Sequence, residues 1–328
     1  MRLYSKKHQA PHATISAHEL RWQILDQRGR IVREAESPVH NIVLNQTWND
    51  LIAAYGFRAL SAYAVVGTGS TAPDAAQTQL DAEVARTSSV PSGESENVVH
   101  IGAGVFEIMR VKQFTSAQVG SQNLTEWGWA PTSSGANLSA RELFRDANGD
   151  PVALTIDADQ SLRLIYKQRV TITPEPMTAH AISFDMQNVG TYSNAQYWLS
   201  NANADAPFWF ADFAARGLAS QFGHAGSGIS LARKKTNMVA QAQQSGDLDY
   251  NGSVGIAYAQ YNSGDRKRVV SDVTVGENTQ NADWYGFVYL LNNAGNIDGL
   301  WLDFGAVLAK DNQHRLIIPA FTILTWGP

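Results

Sequence analysis

Few residues in this chain are spaced for chemistry, and each such group has a plainer use beside it. Gly67-Thr68-Gly69-Ser70-Thr71 has the glycine-rich look of a phosphate cradle, in which backbone N–H groups wrap an anion. It lacks the Gly-Lys-Ser/Thr ending that carries a lysine to the phosphate, and Pro73 follows within two residues. We read it as the loop that ends a strand. Asp146-Ala147-Asn148-Gly149-Asp150 begins like a calcium loop, but an EF-hand needs its glycine at the sixth position and here it comes fourth. An Asn-Gly turn between strands explains it more simply. His8, His12 and His18 cluster near the N-terminus, yet Pro11 breaks the helix that would put His8 and His12 on one face. Gly226-Ser227-Gly228 sits in a glycine-rich tract with no assigned base, and no Gly-x-Ser-x-Gly elbow occurs. The carboxylates are scattered, and no segment singles out a glycosidase pair. No catalytic, cofactor-binding or metal-binding residue is therefore assigned, and no enzyme is expected.

Two sets of residues point to contact rather than catalysis. Trp127 and Trp129 alternate along one strand, as Tyr285 and Phe287 do further on. Such an aromatic row is either a sandwich core or a face for a glycan or a neighbouring subunit. Arg2, Tyr4, Lys6 and Lys7 lie in an N-terminal arm, residues 1–12, that lacks periodicity. Arms of this kind are disordered alone and order against a neighbour, so these four are candidate assembly contacts.

The composition bounds the alternatives. Charged residues are only 17% of the 328, against 44% hydrophobic, with 26 Gly, 9 Trp and 11 Tyr. That is low charge for a soluble domain and suits a turn-rich β protein partly covered by neighbours. The formal net charge of −5 offers no basic footprint for nucleic acid, and with no cysteine there are neither disulfides nor thiolate sites. No run approaches the roughly 18–20 apolar residues that cross a bilayer. The charged start, with no apolar run behind it, does not read as a signal peptide, which implies synthesis in the cytoplasm.

The elements that must position these residues are mostly strands. Leu20, Trp22 and Ile24 alternate with polar neighbours, Asp26-Gln27-Arg28-Gly29 turns, and Ile31-Val32 begins the return strand. Trp48, Leu51, Ile52 and Tyr55 fall at helical spacing, with Asn45 as N-cap and Gly56 as the stop. Tyr63–Val66, residues 98–115, 124–130 and 162–173 read as strands, and residues 74–86 as a helix or an extended loop. Pro174-Glu175-Pro176 reads as a linker.

After that linker the pattern restarts. Ala17–Ile24 matches Ala179–Met186, and Trp48 with Ile52-Ala53-Ala54 and Gly56 matches Trp209 with Phe213-Ala214-Ala215 and Gly217. Arg110-Val111 matches Arg268-Val269, Trp127-Gly128-Trp129 matches Tyr285-Gly286-Phe287, and Arg163-Leu164-Ile165 matches Arg315-Leu316-Ile317. The offset drifts one way, from about 162 to about 152 residues, as small deletions in a second copy would produce. The expected fold is mainly β: an arm (1–12), then two tandem copies (13–174 and 175–328) of a β-sandwich or open barrel, each with a short packed helix.

Several stretches resemble virion proteins of tailed bacteriophages. They are Val43-Leu44-Asn45-Gln46 with the helix after it, Ala64-Val65-Val66-Gly67-Thr68-Gly69-Ser70-Thr71-Ala72-Pro73, Asp81-Ala82-Glu83-Val84-Ala85-Arg86, Asn123-Leu124-Thr125-Glu126-Trp127-Gly128-Trp129 and Leu143-Phe144-Arg145-Asp146-Ala147-Asn148-Gly149. The resemblance covers about residues 41 to 173, and the second copy departs from these motifs. It implies a non-enzymatic structural protein of the tail, tail fibre or head-to-tail region. Its partners would be other virion proteins and copies of itself. The Trp residues motivate a second expectation, a tail module that binds a receptor glycan. A polysaccharide-degrading tail enzyme is the third.

Overall fold

The structure, a computed structural model, describes residues 1–5, 10–37, 42–102, 104–176, 178–200, 230–236, 248–249, 260–262, 266–270, 272–290 and 299–328. The chain is mainly β. In chain order the first strands are β1 (Leu3–Ser5), β2 (His12–Leu25), β3 (Ile31–Ser37), β4 (Ile42–Val43), β5 (Tyr63–Gly67), β6 (Glu83–Thr87), β7 (Asn97–Gly102) and β8 (Val105–Phe114). Next come β9 (Asn123–Leu124), β10 (Glu126–Ala130), β11 (Ala140–Leu143), β12 (Leu154–Thr155), β13 (Ser161–Thr173), β14 (His180–Met186), β15 (Gly190–Ser200) and β16 (Ser230–Lys234). The last are β17 (Leu248–Asp249), β18 (Gln260–Asn262), β19 (Lys267–Val270), β20 (Val273–Val275), β21 (Asp283–Leu290), β22 (Gly299–Ala309), β23 (Leu316–Ile318) and β24 (Phe321–Trp326). Two compact units divide the chain, one of Thr14–Thr171 with Gly327–Pro328, the other of Met1–Ala13 with Ile172–Trp326.

In the unit built on Thr14–Thr171, one sheet runs β3-β2-β13-β8-β7 and a second runs β4-β11-β10-β5-β6. Period-two alternation sends Leu20, Trp22 and Ile24 of β2, Leu162, Leu164 and Tyr166 of β13, Ala64 and Val66 of β5, and both β10 tryptophans into one buried cluster. The two sheets therefore meet face to face as a sandwich. The expected first hairpin is present, with Leu20 opposite Ser37 and Leu25 opposite Ile31. Its turn is closed by Asp26, whose carboxylate accepts the Arg28 and Arg30 N–H groups, both at 2.9 Å.

The helical spacing after Asn45 forms a π-helical turn, Thr47–Leu51, that runs into α1 (Ile52–Ala59). Gly56 ends the first helix, as expected. It adopts φ 72°, kinks the chain, and one more turn follows. The helical turns already include Asn45, so it is not the expected N-cap. Residues 74–86 are no helix; they end in β6, which pairs with β5. The linker prolines follow β13, and the Thr173–Pro174 peptide is cis.

In the other unit the main sheet runs β1-β14-β15-β22-β21-β16-β17. Its core includes Trp198, Ala232, Leu248, Val288 and Trp301, and the Trp198 and Trp301 rings stack at 5.9 Å. A shorter run, β18-β19-β24, takes His12 and Ala13 in parallel beside Thr325 and Trp326, and β20 pairs with β23. The repeat's second helix, expected around Trp209 to Gly217, lies outside the described residues.

Candidate functional site

On β10 the two tryptophans point one way, so Glu126 and Gly128 point the other way, under the loop that leaves β5. Glu126 is fully buried, and so is Arg141 on the neighbouring strand β11. The Arg141 Nη2 donates to Glu126 Oε2 at 2.8 Å and Nε to the same oxygen at 3.0 Å. Its remaining donors reach Asp81 Oδ2 (2.9 Å), Gln77 Oε1 (2.5 Å) and the Thr71 carbonyl (3.1 Å). Glu126 Oε1 accepts the N–H groups of Gly69 and Ala82, each at 2.9 Å, and Oε2 accepts that of Asp81 at 3.2 Å. A charge pair taken out of water is tolerated only when geometry and extra hydrogen bonds offset the desolvation, and here they do.

This explains the glycine-rich loop. Of the loop's N–H groups, that of Gly69 is held by Glu126, that of Thr71 by Asp81 Oδ2 and that of Thr68 by the Ala82 carbonyl. Gly69 is glycine because a Cβ there would strike Glu126 Oε1 and approach Asp81 Cβ to 2.5 Å. Thr125 Oγ1 donates to the Gly69 carbonyl at 2.5 Å and secures the same loop. Arg86 performs a similar task one loop away. It binds Glu83 at 2.8 Å and donates to the Thr132 carbonyl (3.0 Å) and Asn137 Oδ1 (3.1 Å). The arrangement binds segments of the chain to one another. It presents no open anion site.

The other unit carries a related device. Gly286 on β21 stands opposite Lys234 on one side and Asp303 on the other. Lys234 Nζ ion-pairs with Asp303 Oδ2 and lies 4.9 Å from the centroid of the Trp198 ring. Asp303 Oδ1 also accepts the Gly305 N–H at 2.6 Å. A Cβ on Gly286 would collide with the Leu302 carbonyl oxygen, as one on Gly128 would meet that of Ala140 at 2.7 Å.

The residues singled out by sequence fall as follows. Trp127, Trp129 and Phe287 are buried and Tyr285 is half-buried. Trp129 stacks on Tyr166 at 4.9 Å, and Trp127 meets the same ring edge-on at 5.9 Å. Arg2 bridges to Ile317 and pairs loosely with Asp272 at 3.4 Å, while the Tyr4 backbone pairs with Asp185. Lys6, Lys7, His8 and the Gly226–Gly228 tract lie outside the described residues. Asp146 Oδ1 accepts the N–H groups of Asn148 (2.8 Å) and Asp150 (3.0 Å), so that loop is a side-chain-closed turn. Among the described residues no group of three or more His, Asp or Glu could hold a metal. Arg141 was not legible as a site residue. Nothing in Ala140-Arg141-Glu142-Leu143, half of it charged, set Arg141 apart.

Comparison with protein families, curated proteins and solved structures finds no match for this chain.

Proposed function

We propose that the chain is a non-enzymatic structural protein of a tailed-bacteriophage virion, in the tail or head-to-tail region, built from two diverged copies of one β-rich domain. The observation that carries this reading is the Glu126–Arg141 knot. Three of the stretches that resemble virion proteins, around Gly67, Asp81 and Glu126, converge on it. A fourth begins at Leu143, which pairs directly with Glu126. Motif residues that tie several segments of the chain together fit a scaffolding role.

The duplication is supported by strand order. The run β11-β10-β5-β6 has the same sequence-ordered pattern as β22-β21-β16-β17, with Gly128 and Gly286 at matching places on the second strand of each. Two features of the repeat are not kept: β2 and β10 lie in different sheets while their counterparts β14 and β21 share one, and one pairing is shifted. Val111 pairs with Ile165, whereas Val269 pairs with Thr322 rather than Ile317. A diverged copy with shifted pairing accounts for the second of these.

The receptor-glycan reading rested on the aromatic row, and buried Trp127, Trp129 and Phe287 offer no face to a sugar. The test is electron microscopy and mass spectrometry of purified particles. The chain is expected in the tail or head-to-tail region, with its units at symmetric positions. A chain that is absent from particles, or that releases oligosaccharides from surface polysaccharide, overturns the reading.

A further inference from the structure

Lys234 and Asp303 are 69 residues apart in the chain and lie on strands two apart in one sheet, β16 and β22. Strands in that relation are about 10 Å apart, and the strand between them normally puts a side chain in the way. Here that position is Gly286, opposite both residues, so the two side chains meet over it. Their side chains are 0% and 6% exposed, so water is kept out. The face they share carries Ala232, Leu248, Val288, Trp301 and Trp198, and the Trp198 ring covers Nζ at 4.9 Å. Nζ touches Asp303 Oδ2, while Oδ1 accepts the Gly305 N–H at 2.6 Å. An amine donor, a carboxyl group and a hydrogen-bond donor on the second carboxyl oxygen are thus held together in a dry place.

We propose that Lys234 and Asp303 join in an isopeptide bond across β21. A proton passes from Nζ to Oδ2 along their contact, which leaves an amine beside a carboxylic acid. The Nζ lone pair forms a bond to Cγ, and the C=O π pair moves onto Oδ1, where the Gly305 N–H meets the growing negative charge. Nζ gives a second proton to Oδ2, the Cγ–Oδ2 bond breaks, the pair on Oδ1 restores the C=O, and one water leaves. The ammonium supplies both protons of that water, so no outside co-reactant enters. Free amines and acids do not condense in water, but groups fixed in contact react as if at about 10⁵–10⁸ M. Other lysine–carboxylate pairs lack this setting. Lys112 shares Glu96 with Arg110, whose guanidinium does not give up a proton. Lys167 and Glu19 are 29% and 18% exposed, within reach of water. The chain has no cysteine, so this bond supplies the staple that a disulfide would otherwise provide. It belongs to the folded chain alone and goes beyond the assembly reading above.

Intact-mass spectrometry of the purified full-length protein, under denaturing conditions, is expected to give the sequence mass less one water. A proteolytic digest is expected to yield a branched peptide joining the Lys234 segment to the Asp303 segment, and the uncut chain is expected to run faster than its length predicts on a denaturing gel. Lys234→Arg keeps the positive charge but has no amine to acylate, and is expected to restore the full sequence mass and ordinary gel mobility. The wild-type measurements need no variant to fold. A wild-type chain of full sequence mass overturns the proposal. So does a lost water that persists in Lys234→Arg, or one that the digest maps to other residues.

Discussion

Arg141 and Glu126 lie on adjacent strands, both without solvent exposure, with Nη2 and Oε2 2.8 Å apart. Removing one partner leaves the other as a lone buried charge. Arg141→Met is expected to cost about 3–5 kcal/mol, measured by urea denaturation. The double variant Glu126→Leu, Arg141→Met is expected to be much less unstable than the two single losses added together. Additive losses would show that the two side chains do not act as a pair.

Gly69→Ala and Gly29→Ala separate two reasons for glycine. At Gly69 an added Cβ strikes the buried carboxylate of Glu126. At Gly29, with φ 76°, nothing lies within 4 Å. Gly29→Ala is expected to cost only the left-handed backbone penalty, about 1–2 kcal/mol, and Gly29→Asn less. Gly69→Ala is expected to cost more than Gly29→Ala in the same denaturation series. Equal losses would remove the steric account.

Gly128→Ala and Gly286→Ala should each act on their own unit. Both glycines let a neighbouring strand's carbonyl come close, and overpacking of this kind costs about 1–3 kcal/mol. Hydrogen-exchange mass spectrometry is expected to show faster exchange within residues 14–171 for the first. For the second, faster exchange is expected within residues 172–326. Loss spread equally over both units by either variant would contradict local packing as the cause.

The first hairpin turn carries a pH dependence of definite sign. The Asp26 carboxyl is held below its ordinary value, chiefly by the Arg30 backbone N–H and then by the Arg30 side chain. A carboxylate whose folded pKa is lowered adds stability that is present above its unfolded pKa, near 4, and is lost as pH falls through the folded value. Asp26→Asn is therefore expected to flatten the acid limb of the stability curve below about pH 4, and to leave its slope near neutrality unchanged. An unaltered acid limb would show that the turn carries no such linkage.

Much of the first unit was legible because its signals are local. Leu20, Trp22 and Ile24 alternate, and they are buried together; the turn at Asp26–Gly29 falls where Asp and Gly demand it. The helix after Asn45 was legible in period and in its break at Gly56, but not in its start. The kink at Gly56 is a backbone choice that tertiary packing of Phe57 and Leu60 accommodates. For residues 74–86 the sequence left a helix and an extended loop open, because their polar composition fits both, and the structure has the extended alternative. What places Glu83–Thr87 in a strand is the unpaired edge of β5 beside it. Of the knot, Glu126 stood in a quoted motif, but nothing in its neighbourhood of sequence pointed to Arg141.

Alternation and turn chemistry decided by themselves that this is a β protein, where its first hairpin turns, and which face of β2 is apolar. They did so because side-chain direction along a strand repeats every two residues whatever lies beside it. Beyond that hairpin, only the tertiary structure decided which strand lies beside which. It put Leu3 opposite Met186, and brought His12 and Ala13 alongside Thr325 and Trp326, so residues 1–13 belong to the unit that ends the chain. It also drew the loop after Gly67 around Glu126 and Arg141. Backbone hydrogen bonds and buried charges take partners by proximity in the fold, and distance along the chain carries no record of that choice.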